Sequence, residues 1–330
     1  MMTNKKTAGN LLVVGGSYFL GKTYLSYLLD NDLAPDKLYV LNRGSRPLPA
    51  DVEQFPGLVH LRGDRRDAQV LRSLESVHFD AVVDFCGYNA GDIATLAQHL
   101  KAGVDRYAFI STVDVLARGT RQALSENSAY ETRVFPGETG AYIAGKVALE
   151  KELADAAKAG RFEYTVLRPA VIYGPGNYAP RESMYFHWIR EAGQVIHPEG
   201  ATGHFQMVYV KDVARFLAQY ALCPEAKNEV FHLCGEEQYT YDSYVDLLER
   251  ATGTRIERVS MPVQDVIARG IPLPFPFYAE ESEIYLDTKT TQLGFTYTAN
   301  IMGMQETYRD SSLTVASQAL AGPASHHSVV

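Results

Sequence analysis

Tyr142 and Lys146 stand four residues apart in the run Tyr142-Ile143-Ala144-Gly145-Lys146, a spacing that puts both on one face of a helix. A phenol titrates at about 10, so it can act as acid and base at neutral pH only where a neighbouring cation favours the phenolate, and Lys146 is placed to supply that charge. Thirty residues before Tyr142, the apolar run Arg106 to Ile110 ends in Ser111-Thr112. The Thr112 hydroxyl can hold the oxygen of a carbinol or carbonyl while Tyr142 moves its proton, which suits hydride transfer at carbon. A Tyr-x-x-x-Lys spacing alone also arises from ordinary helix packing.

Such a trio needs a hydride carrier and a scaffold to hold it. The stretch Leu11 to Gly21 (LLVVGGSYFLG) reads as a buried strand breaking into a glycine turn, and Leu25, Leu28 and Leu29 come next at helical spacing. Gly15 and Gly21 permit the sharp turn and close packing, and the helix N-terminus offers free N–H groups to a pyrophosphate. Tyr18 stands where the motif has its middle glycine. Strand-like runs continue at Lys37 to Leu41, Leu58 to Leu61, Ala81 to Cys86, Arg106 to Ile110 and Tyr164 to Leu167, with helical segments such as 92–101 and 141–159 between them. The expected fold class is therefore α/β, a Rossmann-type doubly wound parallel sheet. Gly/Pro-rich segments at 173–180 and 271–277 mark the loops of a smaller, partly interleaved C-terminal α/β substrate-binding domain. Residues 1–170 are assigned to the dinucleotide-binding half and 171–330 mainly to the cap, with segments near 205–235, including Val230 to Cys234, returning to the core. The small, polar tail 312–330 is expected to fray.

The second strand ends in Asn42-Arg43, with no acid to hold a ribose 2′-hydroxyl. Arg43 could pair with a 2′-phosphate, which favours NADP(H) over NAD(H), although a solvated turn arginine reads the same way. Asp64, after the third strand, is placed either to accept from an adenine amino group or to close a turn.

Taken in order, Gly15 to Gly21, Gly63-Asp64, Ser111-Thr112, Tyr142 to Lys146, Leu167-Arg168-Pro169 running into Ile172 to Gly176, Phe205 to Ala214, Leu293-Gly294-Phe295 and Glu306-Thr307-Tyr308 resemble the extended, atypical branch of the short-chain dehydrogenase/reductase family, which includes NAD-dependent epimerases and dehydratases. The resemblance implies Thr112, Tyr142 and Lys146 as the catalytic set. It implies a cofactor site formed by Gly15, Ser17, Tyr18, Phe19, Leu20, Gly21, Asn42, Arg43, Asp64, Arg65, Phe85, Cys86, Gly87, Tyr142, Lys146, Pro169, Ala170 and Val171. Tyr88, Asp114, Asn177, Arg181, His204 and Gln206 are the expected substrate contacts, Asn177 and Arg181 reading equally as polar loop residues. A homodimer packed through two helices per subunit is common in the family, though nothing in this pattern demands one.

Two departures matter. Dehydratases of the family carry an Asp-Glu pair after the threonine, whereas Val113-Asp114 leaves one carboxylate here. The Gly-Gly-Ser-Tyr-Phe-Leu-Gly form also resembles epimerase-like proteins that include a chloroplast RNA-binding, stem-loop-cleaving group.

Composition limits the alternatives. The net charge of −8 offers no basic field for nucleic acid, although the 21 tyrosines could stack on bases. Cys86, Cys223 and Cys234 lack metal-ligand spacing, the histidines form no ligand pair, and no metal is expected. The apolar run after Lys5-Lys6 is too short for a secretion signal and no other run is long enough to span a membrane, so a cytoplasmic protein with no membrane partner is expected. The expected function is an NAD(P)-dependent oxidoreductase/epimerase acting on a sugar, as its nucleotide conjugate. The alternatives are a simple NADPH-dependent reductase, a single-carboxylate dehydratase, and, from another class, an RNA-binding epimerase-like protein.

Overall fold

The computed structural model describes residues 9–118 and 123–321, with residues 312–321 by backbone alone. Strands β1 (Asn10–Val14), β2 (Lys37–Asn42), β3 (Leu58–Arg62), β4 (Phe79–Asp84), β5 (Val104–Ile110) and β6 (Glu163–Pro169) alternate with helices α1 (Phe19–Asp30), α2 (Ala50–Glu53), α3 (Ala68–Arg72), α4 (Asp92–His99) and α5 (Gly137–Lys158). The rest of the chain contributes β7 (Val171–Tyr173), α6 (Glu182–Ala192), β8 (Gln194–Glu199), β9 (Phe205–Tyr209), α7 (Val210–Gln219), β10 (Glu229–Leu233), β11 (Gln238–Tyr239), α8 (Tyr241–Thr252), β12 (Glu257–Pro262), α9 (Val263–Ala268), α10 (Thr288–Gln292) and α11 (Asn300–Ala321).

Seven strands form one parallel sheet in the order β10-β6-β5-β4-β1-β2-β3. The strands are apolar on both faces because helices cover both sides. Leu11 and Val13 of β1 pack with Leu25 and Leu28 of α1, while Leu12 and Val14 join Phe109, Leu149 and Leu153 on the opposite face. The order reverses between β1 and β4, so the carboxyl ends of these two strands open the crevice where ligands of such sheets bind.

The chain returns to this core after β9. Helix α7 packs on α1, tied by Gln219 Nε2 donating to the Tyr27 hydroxyl at 2.6 Å, and β10 adds the seventh strand. The remaining cap holds a three-stranded sheet, β11-β9-β7, and a two-stranded one, β12-β8. Phe205 and Phe275 stack there with ring centroids 3.7 Å apart.

Two expectations shift. The fourth strand spans 79–84 rather than 81–86, which leaves Phe85 and Cys86 in the loop at its carboxyl end. The tail expected to fray from residue 312 is helical through Ala321; 322–330 and the Lys5-Lys6 leader lie outside the described residues. No helix among the described residues is long and apolar enough to cross a membrane.

Candidate active site

At the carboxyl ends of β1, β2, β4 and β5 lies a cleft of about 870 Å³. The glycine loop forms its floor. Gly15 adopts φ +107°, and a Cβ there would lie 3.2 Å from the Phe85 Cβ. A Cβ on Gly21 would come within 2.8 Å of the Gly16 Cα, so α1 presses directly on the turn. Tyr18 caps α1 without a side-chain hydrogen bond, and no acid occupies the first turn. Among the described residues, the N–H groups of Gly16 to Leu20 donate to no backbone carbonyl. Free amides with positive helix-end character are an anion site, and these residues fit the pyrophosphate of a dinucleotide. Ser17, Tyr18, Phe19 and Leu20 all line the cleft.

Tyr18 leaves the floor and crosses the mouth of the cleft. Its ring stacks on Tyr178 of the cap loop, centroids 5.1 Å apart, and the Arg46 guanidinium sits 3.9 Å over it. Asn42 is absorbed locally: its Oδ1 accepts from Gly44 N at 2.8 Å and approaches His60 Nε2 at 3.1 Å. Arg43 lines the cleft without a partner among the described residues. Asp64 lines the cleft while accepting from Arg66 N at 2.8 Å, so its turn role is realised.

Arg65 and Gly87 differ in their placement. Arg65 borders the cleft, but its two terminal nitrogens each donate to Asp84 at 2.8 Å. Burial would raise the Asp84 carboxyl, yet the Arg65 charge overrides it and holds the group below the usual carboxylate range. Arg65 is thus paired with Asp84 while it lines the cleft. Gly87 lies behind the wall, where a Cβ would meet Phe109 at 3.0 Å, and does not line the cleft. Phe85 and Cys86 do, and burial pushes the Cys86 thiol up to about 12.

Thr112, Tyr142 and Lys146 meet in the same cleft. Gly145 lets α5 approach the loop after β4: a Cβ there would fall 1.8 Å from the Tyr88 carbonyl oxygen. Lys146 is consequently buried, its Nζ donating to the Ile110 carbonyl at 2.7 Å and lying 4.8 Å from the Tyr88 ring centroid. Burial pulls the Lys146 ammonium down to about 8, against the opposing charge of Asp84. Burial also pushes the Tyr142 phenol up to about 12, with a Thr112 hydrogen bond acting the other way. The Lys146 Nζ lies 5.7 Å from the Tyr142 ring centroid, and burial is the largest influence on the phenol. Thr112 Oγ1 donates to Asp114 Oδ2 at 3.0 Å and accepts from Asp114 N at 3.2 Å.

At and beyond the end of β6, Pro169, Ala170, Val171, Asn177 and Arg181 line the cleft, as do Tyr88 and Asp114. Asn177 Nδ2 donates to Glu182 at 2.9 Å, and Arg181 donates to the Ile172 carbonyl at 3.3 Å. His204 and Gln206 are outside the lining. The His204 carbonyl accepts from Glu283 N at 2.8 Å, and Gln206 Oε1 accepts from Tyr285 N at 2.7 Å. They hold the 283–285 segment instead of touching the cleft. That segment delivers Glu283 into the cleft wall, a residue that no motif flags because it sits far from all of them along the chain. Arg46, Arg66 and Tyr178 line the cleft as well; their types in loops after β2, β3 and β7 were the available signal.

The model of the NAD dependent epimerase/dehydratase family matches residues 11–234. The chloroplast stem-loop binding protein of 41 kDa b from Arabidopsis thaliana is 26% identical over 256 residues, 74% of this chain and 63% of that protein. The chain thus spans less than two thirds of that relative's length. A dTDP-glucose 4,6-dehydratase from Streptomyces venezuelae, solved with NAD and TYD bound, superposes with a TM-score of 0.72 at 21% identity, covering 93% of this chain and 98% of the other. A UDP-glucose 4-epimerase from Thermotoga maritima, solved with UDP-glucose, gives 0.71 at 21% identity over 93% and 99%. These two likenesses show the fold.

Proposed function

This chain belongs to the NAD dependent epimerase/dehydratase family, a family of enzymes of the short-chain dehydrogenase/reductase type, and we propose that it is an NAD(P)-dependent oxidoreductase/epimerase acting on a nucleotide sugar. The observation that carries this reading is the convergence of Thr112, Tyr142 and Lys146 with the free amides of the glycine turn in one cleft. Residues 1–170 serve as the cofactor half and 171–330 as the cap, with α7 and β10 inserted back into the core.

A nicotinamide dinucleotide, when bound, supplies the acceptor and donor of hydride. The turn from Gly15 to Gly21 would hold its pyrophosphate, and Arg43 in the cleft wall favours NADP(H). Pro169, Ala170 and Val171 wall the cleft near the reaction centre. Tyr142, a neutral phenol at rest, is set to donate a proton to a carbonyl oxygen and to recover it from a carbinol. The Thr112 hydroxyl donates to Asp114 in this arrangement and can turn instead to Tyr142, where its hydrogen bond favours the phenolate that forms when the proton is given up. Lys146 keeps a cation beside Tyr142 and orients through Ile110. Cap residues Asn177 and Arg181, with Tyr88 and Asp114, border the space left for the sugar.

The test is mass spectrometry of ligands retained by the purified protein, combined with absorbance at 340 nm during turnover of a nucleotide sugar. A retained dinucleotide with no net absorbance change fits an epimerase; stoichiometric consumption fits a simple reductase. Absence of any dinucleotide affinity sinks the proposal. A second reading, RNA binding, draws on the chloroplast relative and on exposed Tyr18, Tyr88 and Tyr178 with Arg46 at one cleft mouth. RNA affinity that survives Tyr142→Phe and falls steeply with salt would favour it.

A further inference from the structure

We propose that Asp114 and Glu283, joined through Arg118, recognise hydroxyls on the sugar beyond the reacting carbon and select a neutral sugar over one carrying a carboxylate. This rests on the nucleotide-sugar reading above.

Asp114 lies two residues after Thr112, while Glu283 comes from the cap, yet both line one cleft. Arg118 stands behind them and joins them: its Nη1 donates to Glu283 Oε1 at 2.5 Å and its Nη2 to Asp114 Oδ1. Arg118 itself is absent from the lining. Each carboxylate thus has one oxygen fixed by the guanidinium. The second Asp114 oxygen holds the Thr112 hydroxyl at 3.0 Å, which sets this pair beside the reacting position. The second Glu283 oxygen meets no donor among the described residues.

The arrangement is held from behind as well. Residue 283 pairs with Phe205 at the edge of β9, its N–H donating to the His204 carbonyl, and Gln206 clamps Tyr285 from the buried side. Gln206 completes that clamp by donating to the Gly235 carbonyl at 2.9 Å. A positioned carboxylate oxygen accepts from a sugar hydroxyl without reorganising. A substrate carboxylate brings acceptors only, and would meet acceptors here, since Arg118 stands behind the two carboxylates and does not line the cleft. The nearby cations Lys146 and Arg181 are directed to the carbonyls of Ile110 and Ile172. Local hydrogen-bond polarity, not overall charge, is what discriminates.

Calorimetric titration of the full chain with UDP, UDP-glucose and UDP-glucuronate tests the assignment. The glucose conjugate should bind at least about tenfold more tightly than the glucuronate. Glu283→Gln turns an acceptor into a donor-bearing amide of the same shape, and should close most of that gap while leaving the affinity for UDP within about twofold. Asp114→Asn should narrow it in the same direction. Equal wild-type affinity for the two conjugates, or a gap that neither substitution moves, overturns the assignment and leaves the nucleotide-sugar reading standing. Failure of UDP and both conjugates to bind overturns that reading, and the assignment with it.

Discussion

The Glu150 carboxylate takes two arms of the Arg168 guanidinium, from Nε at 3.0 Å and from Nη2 at 2.6 Å, with both side chains almost wholly buried. Ser111 Oγ and the Tyr130 hydroxyl donate to the same carboxylate at 2.5 and 2.9 Å. One group therefore ties the end of β5 to α5 and β6, and sets Thr112 against Tyr142 and Lys146, which lie two turns and one turn earlier on the same face of α5. Glu150→Gln leaves the buried Arg168 charge without its partner and should cost about 3–5 kcal/mol of stability. Urea unfolding should show a lower midpoint at unchanged slope. A loss below about 1 kcal/mol would mean that solvent or another group compensates Arg168. Arg168→Lys should not behave as wild type, because an ammonium cannot reproduce the two-armed contact.

Tyr142→Phe keeps the ring packed against Tyr88, 6.3 Å between centroids, and removes only the proton. Turnover should fall by about 10²–10⁴-fold, the usual contribution of a positioned acid or base, with dinucleotide affinity retained. Unchanged turnover in steady-state assay removes Tyr142 from the chemistry.

The pH profile of kcat/KM reports ionisations of the free enzyme, and Lys146 at about 8 is the group to see there. Its charged form prevails below that value, so the rate should decline as pH rises through about 8, well before Tyr142 titrates at about 12. Stability has the opposite sign. The unfolded lysine, at about 10.4, binds more protons than the folded one between about pH 8 and 10.4, so this group makes folding more favourable as pH rises through that window. A rate flat from pH 7 to 9 would show that the Lys146 charge is not needed.

The scaffold was legible because buried parallel strands are short apolar runs, and Lys37 to Leu41 or Arg106 to Ile110 allow little else. Cleft residues near strand ends were legible for the same reason: the carboxyl end of a core strand points the next residues at the crevice, as at Thr112 and Arg43. What sequence could not show is which polar groups are already spent on one another. Arg65, which lines the cleft, is paired with Asp84, and Arg168 reads as a motif until Glu150 makes it a buried pair. His204 and Gln206 lie in the right neighbourhood but act through the backbone they hold, and Glu283 is delivered by a fold-level pairing with β9 that no local spacing encodes.

Arg43 offers the sharpest test of cofactor choice. At the end of β2 the neighbouring side chain, Asn42, is occupied by Gly44 N and His60, and its Nδ2 also donates to the Gly15 carbonyl at 3.4 Å, so Asn42 fixes the loop rather than the ligand. Arg46 is held over Tyr18. Arg43 remains available in the cleft wall, and a guanidinium matches a 2′-phosphate but gains little from a 2′-hydroxyl. Arg43→Ala should weaken NADP(H) by about 10–100-fold, the scale of a lost charge-assisted contact, and NAD(H) by less than about threefold. Titrations monitored by quenching of protein fluorescence would measure both. Because Arg43 is exposed, the NADP(H) preference should also shrink as salt is raised, and it should shrink less in the variant. Equal losses for the two dinucleotides would leave Arg43 as a general contact and return the choice of cofactor to the pyrophosphate turn alone.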